Sequence, residues 1–105
     1  MKHRIVEYTE AGRSPFADWF DSLDAAVAAR VDRYIRRLEA GNFGAAKSLR
    51  EGVHELRIDF GPGYRVYFGL DGKVLVILLG GGDKRRQSAD IAGAVERWRR
   101  YKAEK

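Results

Sequence analysis

Cysteine is absent from this chain, and histidine and proline occur only twice each. Without thiols there is no disulfide framework and no thiolate metal site. His3 and His54 are the only imidazoles, and neither stands beside an acidic cluster at metal-ligand spacing, so neither a metal nor another cofactor is expected. Long apolar runs are missing too. The longest, Val74 to Leu79, is far too short to span a bilayer. The opening Met1-Lys2-His3-Arg4 passes straight into an alternating segment with no apolar signal core. The expectation is a soluble cytoplasmic protein with no membrane partner. Repeats, low-complexity tracts and linkers are also lacking, so residues 1–105 read as one domain.

What is present is enough apolar residue for a core, 45%, and an excess of positive charge. Twenty Lys and Arg stand against 15 Asp and Glu, giving +5. Residues 1–49 hold 8 basic and 7 acidic side chains, whereas residues 50–105 hold 12 and 8, so the second half carries +4 of the +5. A positive field attracts polyanions and speeds their capture, which points to nucleic acid or an acidic protein. The competing reading is a surface made basic for solubility.

His3 to Tyr8 alternates as a short strand. Ser14-Pro15 supplies a capping oxygen and a fixed φ for a helix carrying Phe16, Trp19, Phe20 and Leu23. Asp24 can cap a second helix, in which Val27, Val31, Ile35 and Leu38 form one stripe and Gly41 ends the run. Arg30, Arg33, Arg36 and Arg37 lie mostly off that stripe. The period then changes from helix to strand. Leu56, Ile58 and Phe60 alternate with Glu55, Arg57 and Asp59; Gly61-Pro62-Gly63 turns the chain; Tyr64 to Leu70 resumes the alternation. Asp71-Gly72 predicts a tight two-residue hairpin. Val74 to Leu79 is apolar on both faces, as a central strand is. Gly80-Gly81-Gly82 is read as the end of the sheet. A last helix follows, capped by Ser88, with Ile91, Val95, Trp98 and Tyr101 on its packing face. The fold class is α+β: β-α-α-β-β-β-α, a mainly antiparallel sheet packed by helices on one face.

A three-residue loop at Gly61–Gly63 places Asp59 opposite Arg65 and Arg57 opposite Tyr67, all four on the face away from Leu56, Ile58, Val66 and Phe68. The end of the next strand delivers Asp83, Lys84, Arg85, Arg86 and Gln87 beside three glycines that allow a backbone or a nucleic acid to approach closely. Arginines on a sheet face with basic residues at its rim suit a phosphate. An Asp59–Arg65 ion pair and a solvated loop is the alternative. Trp98 and Tyr101 can stack a base, but their spacing with Ile91 and Val95 favours core packing. His54 lies on the Leu56 face and reads as a packed or strand-edge histidine.

The run Leu56-Arg57-Ile58-Asp59-Phe60-Gly61-Pro62-Gly63-Tyr64-Arg65-Val66-Tyr67-Phe68 resembles the hairpin of RelE/ParE toxins, the basic partners of bacterial toxin–antitoxin pairs. Leu78-Leu79-Gly80-Gly81-Gly82-Asp83-Lys84-Arg85-Arg86-Gln87-Ser88-Ala89-Asp90-Ile91 looks like the segment that closes their sheet, most closely in the HigB-like addiction module killer branch. The Trp19-Phe20 helix and the Arg36-Arg37-Leu38-Glu39 to Gly41-Asn42-Phe43-Gly44 segment also fit, so the likeness covers nearly the whole chain. It implies a RelE-like domain and a metal-independent, ribosome-associated endoribonuclease, in which the substrate's 2′-hydroxyl attacks the adjacent phosphate and expels the 5′-oxygen. Arg65 matches the arginine after Gly-Tyr and is assigned to transition-state phosphate. Arg57 falls near a basic strand position, Lys84 at the basic position after the last strand, and Asp90 at a position held by tyrosine or aspartate. These four are the catalytic candidates; Lys47, Arg50, Arg85, Arg86 and Gln87 are the RNA-binding ones. Arginine is a poor general base because it holds its proton, and Asp59, Asp90 and His54 remain open for that role. The implied partners are messenger RNA on the ribosome and a cognate antitoxin, of helix-turn-helix type in this branch. Two alternatives stay in view: a ParE-like DNA gyrase poison without catalysis of its own, and a degenerate toxin that acts only as an antitoxin-binding co-repressor.

Overall fold

The computed structural model describes residues 2–105. Its elements run β1 (Arg4–Glu7), α1 (Pro15–Phe20), α2 (Ala25–Glu39), β2 (Ala46–Ser48), β3 (Val53–Ile58), β4 (Tyr64–Asp71), β5 (Leu75–Asp83), a short 3-10 turn (Lys84–Arg86) and α3 (Gln87–Ala103). The strands form one sheet in the order β1-β5-β4-β3-β2, antiparallel except where β1 lies parallel to β5. The α+β class with a mainly antiparallel sheet is therefore the observed one, but the expected order β-α-α-β-β-β-α lacked β2, a three-residue edge strand too short to show an alternation in the sequence. β5 sits between β1 and β4, which is why its residues are apolar in both directions.

Local chemistry explains the helix starts. The Ala17 amide donates to Ser14 Oγ at 3.0 Å with Pro15 next in the chain. Asp24 occupies the cap of α2 in extended conformation without a side-chain bond. Val27, Val31, Ile35 and Leu38 are all buried, as their spacing requires, against Leu56, Ile58, Val66, Phe68, Val76 and Leu78.

Four further sequence expectations are corrected. The helices do not share one face. α1 and α2 cover the even-numbered residues of β3 to β5, while α3 packs its Ala94, Val95 and Trp98 on Val53, Tyr67, Ile77 and Leu79. A sheet whose central strand is apolar on both sides must be covered on both. The glycines do not end the sheet either: β5 continues through them to Asp83 with a bulge opposite Tyr67/Phe68. Each glycine receives a side chain. A β-carbon at Gly81 would lie inside the Trp19 ring, one at Gly82 inside the Asp90 carboxyl, and one at Gly80 2.9 Å from Arg97 Nη1. Ser88 is not the cap of the last helix; Asp83 caps the 3-10 turn by accepting from the Arg85 amide, and the chain enters α3 from there. Finally, Asp71 pairs with Leu75, so that hairpin has a three-residue loop with positive φ only at Gly72. The paired positive φ angles occur instead at Glu51 (54°) and Gly52 (87°), between β2 and β3.

α3 is tied down along its length. Arg97 donates to the Leu79 carbonyl at 3.0 Å, Arg99 meets Glu51 at 2.7 Å, Arg100 meets Glu10 at 2.8 Å, and Asp71 receives Tyr101 Oη and Lys105 Nζ, each at 2.6 Å. Much of the C-terminal positive charge is thereby committed to structure.

A candidate phosphate-binding row on the sheet

The β3–β4 register decides the site. Ile58 pairs with Tyr64, so the loop holds five residues, 59–63, and Arg57 lies directly opposite Arg65. Relative to a three-residue loop the strands have slipped by two positions, which preserves faces while changing partners. Asp59 leaves the strand and is exposed; Arg57 and Arg65 stay on one face. Arg65 in turn pairs with Gly82 of β5, over which the Asp90 carboxyl sits. Asp90, Arg65 and Arg57 thus form a row across three strands, about 10 Å long from the usual strand spacing. Lys84 follows Asp83, the register partner of Tyr64, and stands exposed at the end of that row.

A second row lies beneath the start of α3: Tyr67 opposite Gly80 and Glu55, and Glu55 opposite Lys47. Arg65 and Glu55, 4% and 0% exposed, are the two buried charged residues of the described chain. Arg65 Nε lies 3.6 Å from Glu55 Oε2, Gln87 Nε2 donates to that same oxygen at 3.0 Å, and Lys47 Nζ stands 4.0 Å from Oε1. Arg65 Nε and Nη1, Glu55 Oε1 and Tyr67 Oη have no hydrogen-bond partner among the described residues. Buried polar atoms are ordinarily paired, so this concentration of unpaired ones on one face marks a polar site rather than a core. Burial, with Glu55 and then Asp90 nearby, raises the Tyr67 phenol well above its ordinary range. Burial also raises the Asp90 carboxyl, with Asp83 adding to the rise and Arg86 and Arg97 opposing it.

The other candidates fall in different places. Arg85 is bound to Asp83 at 2.9 Å, and that contact holds the Asp83 carboxyl below its ordinary range. Arg86 is exposed beside it. Gln87 points inward to Glu55, so its amide is already engaged. Arg50 stands at the β2–β3 turn, the far end of β3 from Arg57, where with Lys47, Ser88 and Ile91 it lines a recess of about 460 Å³. His54 is on the opposite face, stacked on Phe68 at 5.2 Å, with its pKa lowered by burial. Trp98 is 5% exposed and stacked on Tyr101, in the core. Sequence reasoning missed Glu55 and the role of Tyr67. The signal was available: both share the parity of Arg57 and Arg65, and an acidic residue at such a position within an otherwise buried strand needs a partner.

The fold defines a class. Over 92% of this chain and 98% of the other, the structure superposes on a doubly substituted mutant of the Escherichia coli toxin RelE in the free state, with a TM-score of 0.69 at 20% identity. The protein therefore has the RelE toxin fold. The sequence matches the family described as phage derived protein Gp49-like (DUF891) over residues 18–100, and the chain belongs to that family. It is also 49% identical over 80 residues to an uncharacterized protein of Haemophilus influenzae, covering 75% of this chain and 81% of that one.

Proposed function

We propose that this protein is the toxin of a type II toxin–antitoxin pair, of the HigB-like branch, and that its 105 residues act as one cytoplasmic domain cleaving messenger RNA on the ribosome. The observation that carries this reading is the direct opposition of Arg57 and Arg65. Like charges facing each other across strands are unfavourable, and among the described residues Arg57 forms no ion pair. Glu55 offsets Arg65 alone. A phosphodiester on the exposed Arg57 guanidinium, with the buried Arg65 charge beneath it, relieves the repulsion and receives a charge-assisted hydrogen bond from Arg57.

The chemistry follows from the row. The 2′-oxygen bonds to the adjacent phosphorus as its proton passes to a base; the bond from phosphorus to the 5′-oxygen breaks, and that oxygen takes up a proton. Arg65 and Arg57 bear the extra charge on the pentacoordinate phosphate. Of the three candidate bases, His54 faces the other side of the sheet and Asp59 has left the strand, whereas Asp90 lies in the row. Burial raises its pKa, which makes it a better proton acceptor than an ordinary aspartate. Lys84, exposed just past β5, supplies the leaving-group proton or holds the departing strand. No resident metal takes part. The partner that restrains the protein is an antitoxin, of helix-turn-helix type.

The test is induction of the wild type and of Arg57→Ala, with RNA ends mapped. Cuts within translated codons that disappear in Arg57→Ala, and cleavage in vitro that persists in a chelator, support the reading. Intact messages accompanied by DNA breaks replace it with gyrase poisoning. Full toxicity of Arg57→Ala removes the row from the mechanism.

A further inference from the structure

At the open edge of the sheet, where the segment after α2 crosses to β2, lies a cleft of about 730 Å³ lined by Tyr34, Arg37, Asn42, Lys47, Arg57 and Asp59. Three of these side chains are cationic and one is anionic. Arg37 is exposed and, among the described residues, has no acidic partner; its guanidinium carbon lies over the Tyr34 ring at 4.5 Å from the centroid. The Asn42 side-chain oxygen accepts from the Gly44 amide at 2.9 Å, which leaves its two amide hydrogens as donors on the cleft wall. Arg57 belongs both to this cleft and to the row with Arg65.

We infer that this cleft is a nucleotide subsite, which takes the base and phosphate next to the linkage held at Arg57, above the buried Arg65. The inference rests on the reading of that row as a ribonuclease site. The Tyr34 ring holds the Arg37 guanidinium as a flat shelf, and guanidinium planes stack on nucleobases as aromatic rings do. Lys47 and Arg57 take the flanking phosphate, and the Asn42 amide donates to a base edge. Flat cation, point charges and one amide donor match a single-stranded nucleotide.

The experiment measures anisotropy of a labelled, 2′-O-methylated RNA oligonucleotide, which cannot be cleaved, with full-length wild type, Arg37→Ala and Arg37→Lys, together with thermal melts. Arg37→Ala is expected to weaken binding roughly ten-fold without lowering the melting temperature, in keeping with the cost of losing one stacked base. Arg37→Lys, which keeps the charge but not the plane, is expected to recover less than half of that loss. An abasic nucleotide beside the scissile position should weaken wild type comparably and Arg37→Ala hardly at all. Unchanged RNA affinity in Arg37→Ala overturns the subsite, and so does full rescue by lysine. If Arg37→Ala spares RNA binding and weakens only association with a co-expressed protein, the cleft is a protein interface and the proposal is wrong. The two readings fail separately. RNA bound through Arg37 but never cut leaves the subsite standing without the nuclease; cleavage lost in Arg57→Ala but untouched in Arg37→Ala does the reverse.

Discussion

Arg65 is held by a carboxyl that water does not reach, and this makes the obvious alanine variant ambiguous. Arg65→Ala leaves Glu55 buried beside no counter-charge except Lys47 at 4.0 Å. Breaking a buried pair costs roughly 3–5 kcal/mol, so Arg65→Ala is expected to lose both stability and activity, as denaturant melts will show. Arg65→Lys keeps the charge, is expected to fold, and should lose growth arrest because the planar fork is gone. Arg57→Ala, on an exposed side chain, should stay within about 0.5 kcal/mol of wild type while losing cleavage. Asp90 supplies a second measurement. A base must be ionised, and burial raises this carboxyl, so the cleavage rate should fall on the acid side with a midpoint above the ordinary aspartate range. Asp90→Asn should flatten that limb. A rate that is independent of pH through the acid range in the wild type would assign the proton transfer elsewhere.

The strands and helices meet through glycine. Trp98 of α3 rests on Gly69 of β4, and Trp19 of α1 rests on Gly81 of β5 from the opposite side, with no space for a β-carbon at either. Gly69→Ala and Gly81→Ala are expected to destabilise by about 1–3 kcal/mol, the usual range for an overfilled core. Gly93→Ala is the contrasting case. A β-carbon there meets only the Arg97 guanidinium at 3.5 Å, an ordinary contact, within a helix where glycine is unfavourable. It should stabilise by up to about 1 kcal/mol. Gly82→Ala belongs to neither set, because the displaced group is Asp90; activity should fall more than stability does.

The charge of the whole chain, +5, is partly committed to structure. Arg99, Arg100 and Lys105 anchor α3 to acidic partners on the sheet's rims. Among the described cations that form no ion pair, Arg37, Arg57, Lys84 and Arg86 stand about the row and its adjoining cleft. Affinity for single-stranded RNA should therefore fall linearly with the logarithm of salt, and Arg57→Ala should reduce the slope by about 0.7, the contribution of one phosphate contact. An unchanged slope would mean that Arg57 touches no phosphate.

Periodicity and composition alone were enough for the α+β class, the α2 stripe, the doubly buried β5 and the shared face of Arg57 and Arg65. Each depends on spacing along the chain, which backbone geometry converts directly into a direction in space. The two arginines kept a common face through a two-residue error in register because side-chain alternation has period two. Their direct opposition was beyond the sequence, since loop length depends on how Gly61 and Gly63 take up positive φ. Beyond it too were the covering of the second sheet face by α3, the seating of Trp19 and Asp90 on Gly81 and Gly82, and the burial of Glu55 against Arg65. Those features arise where segments distant in the chain come into contact, and steric fit and desolvation act only once the fold has brought them together.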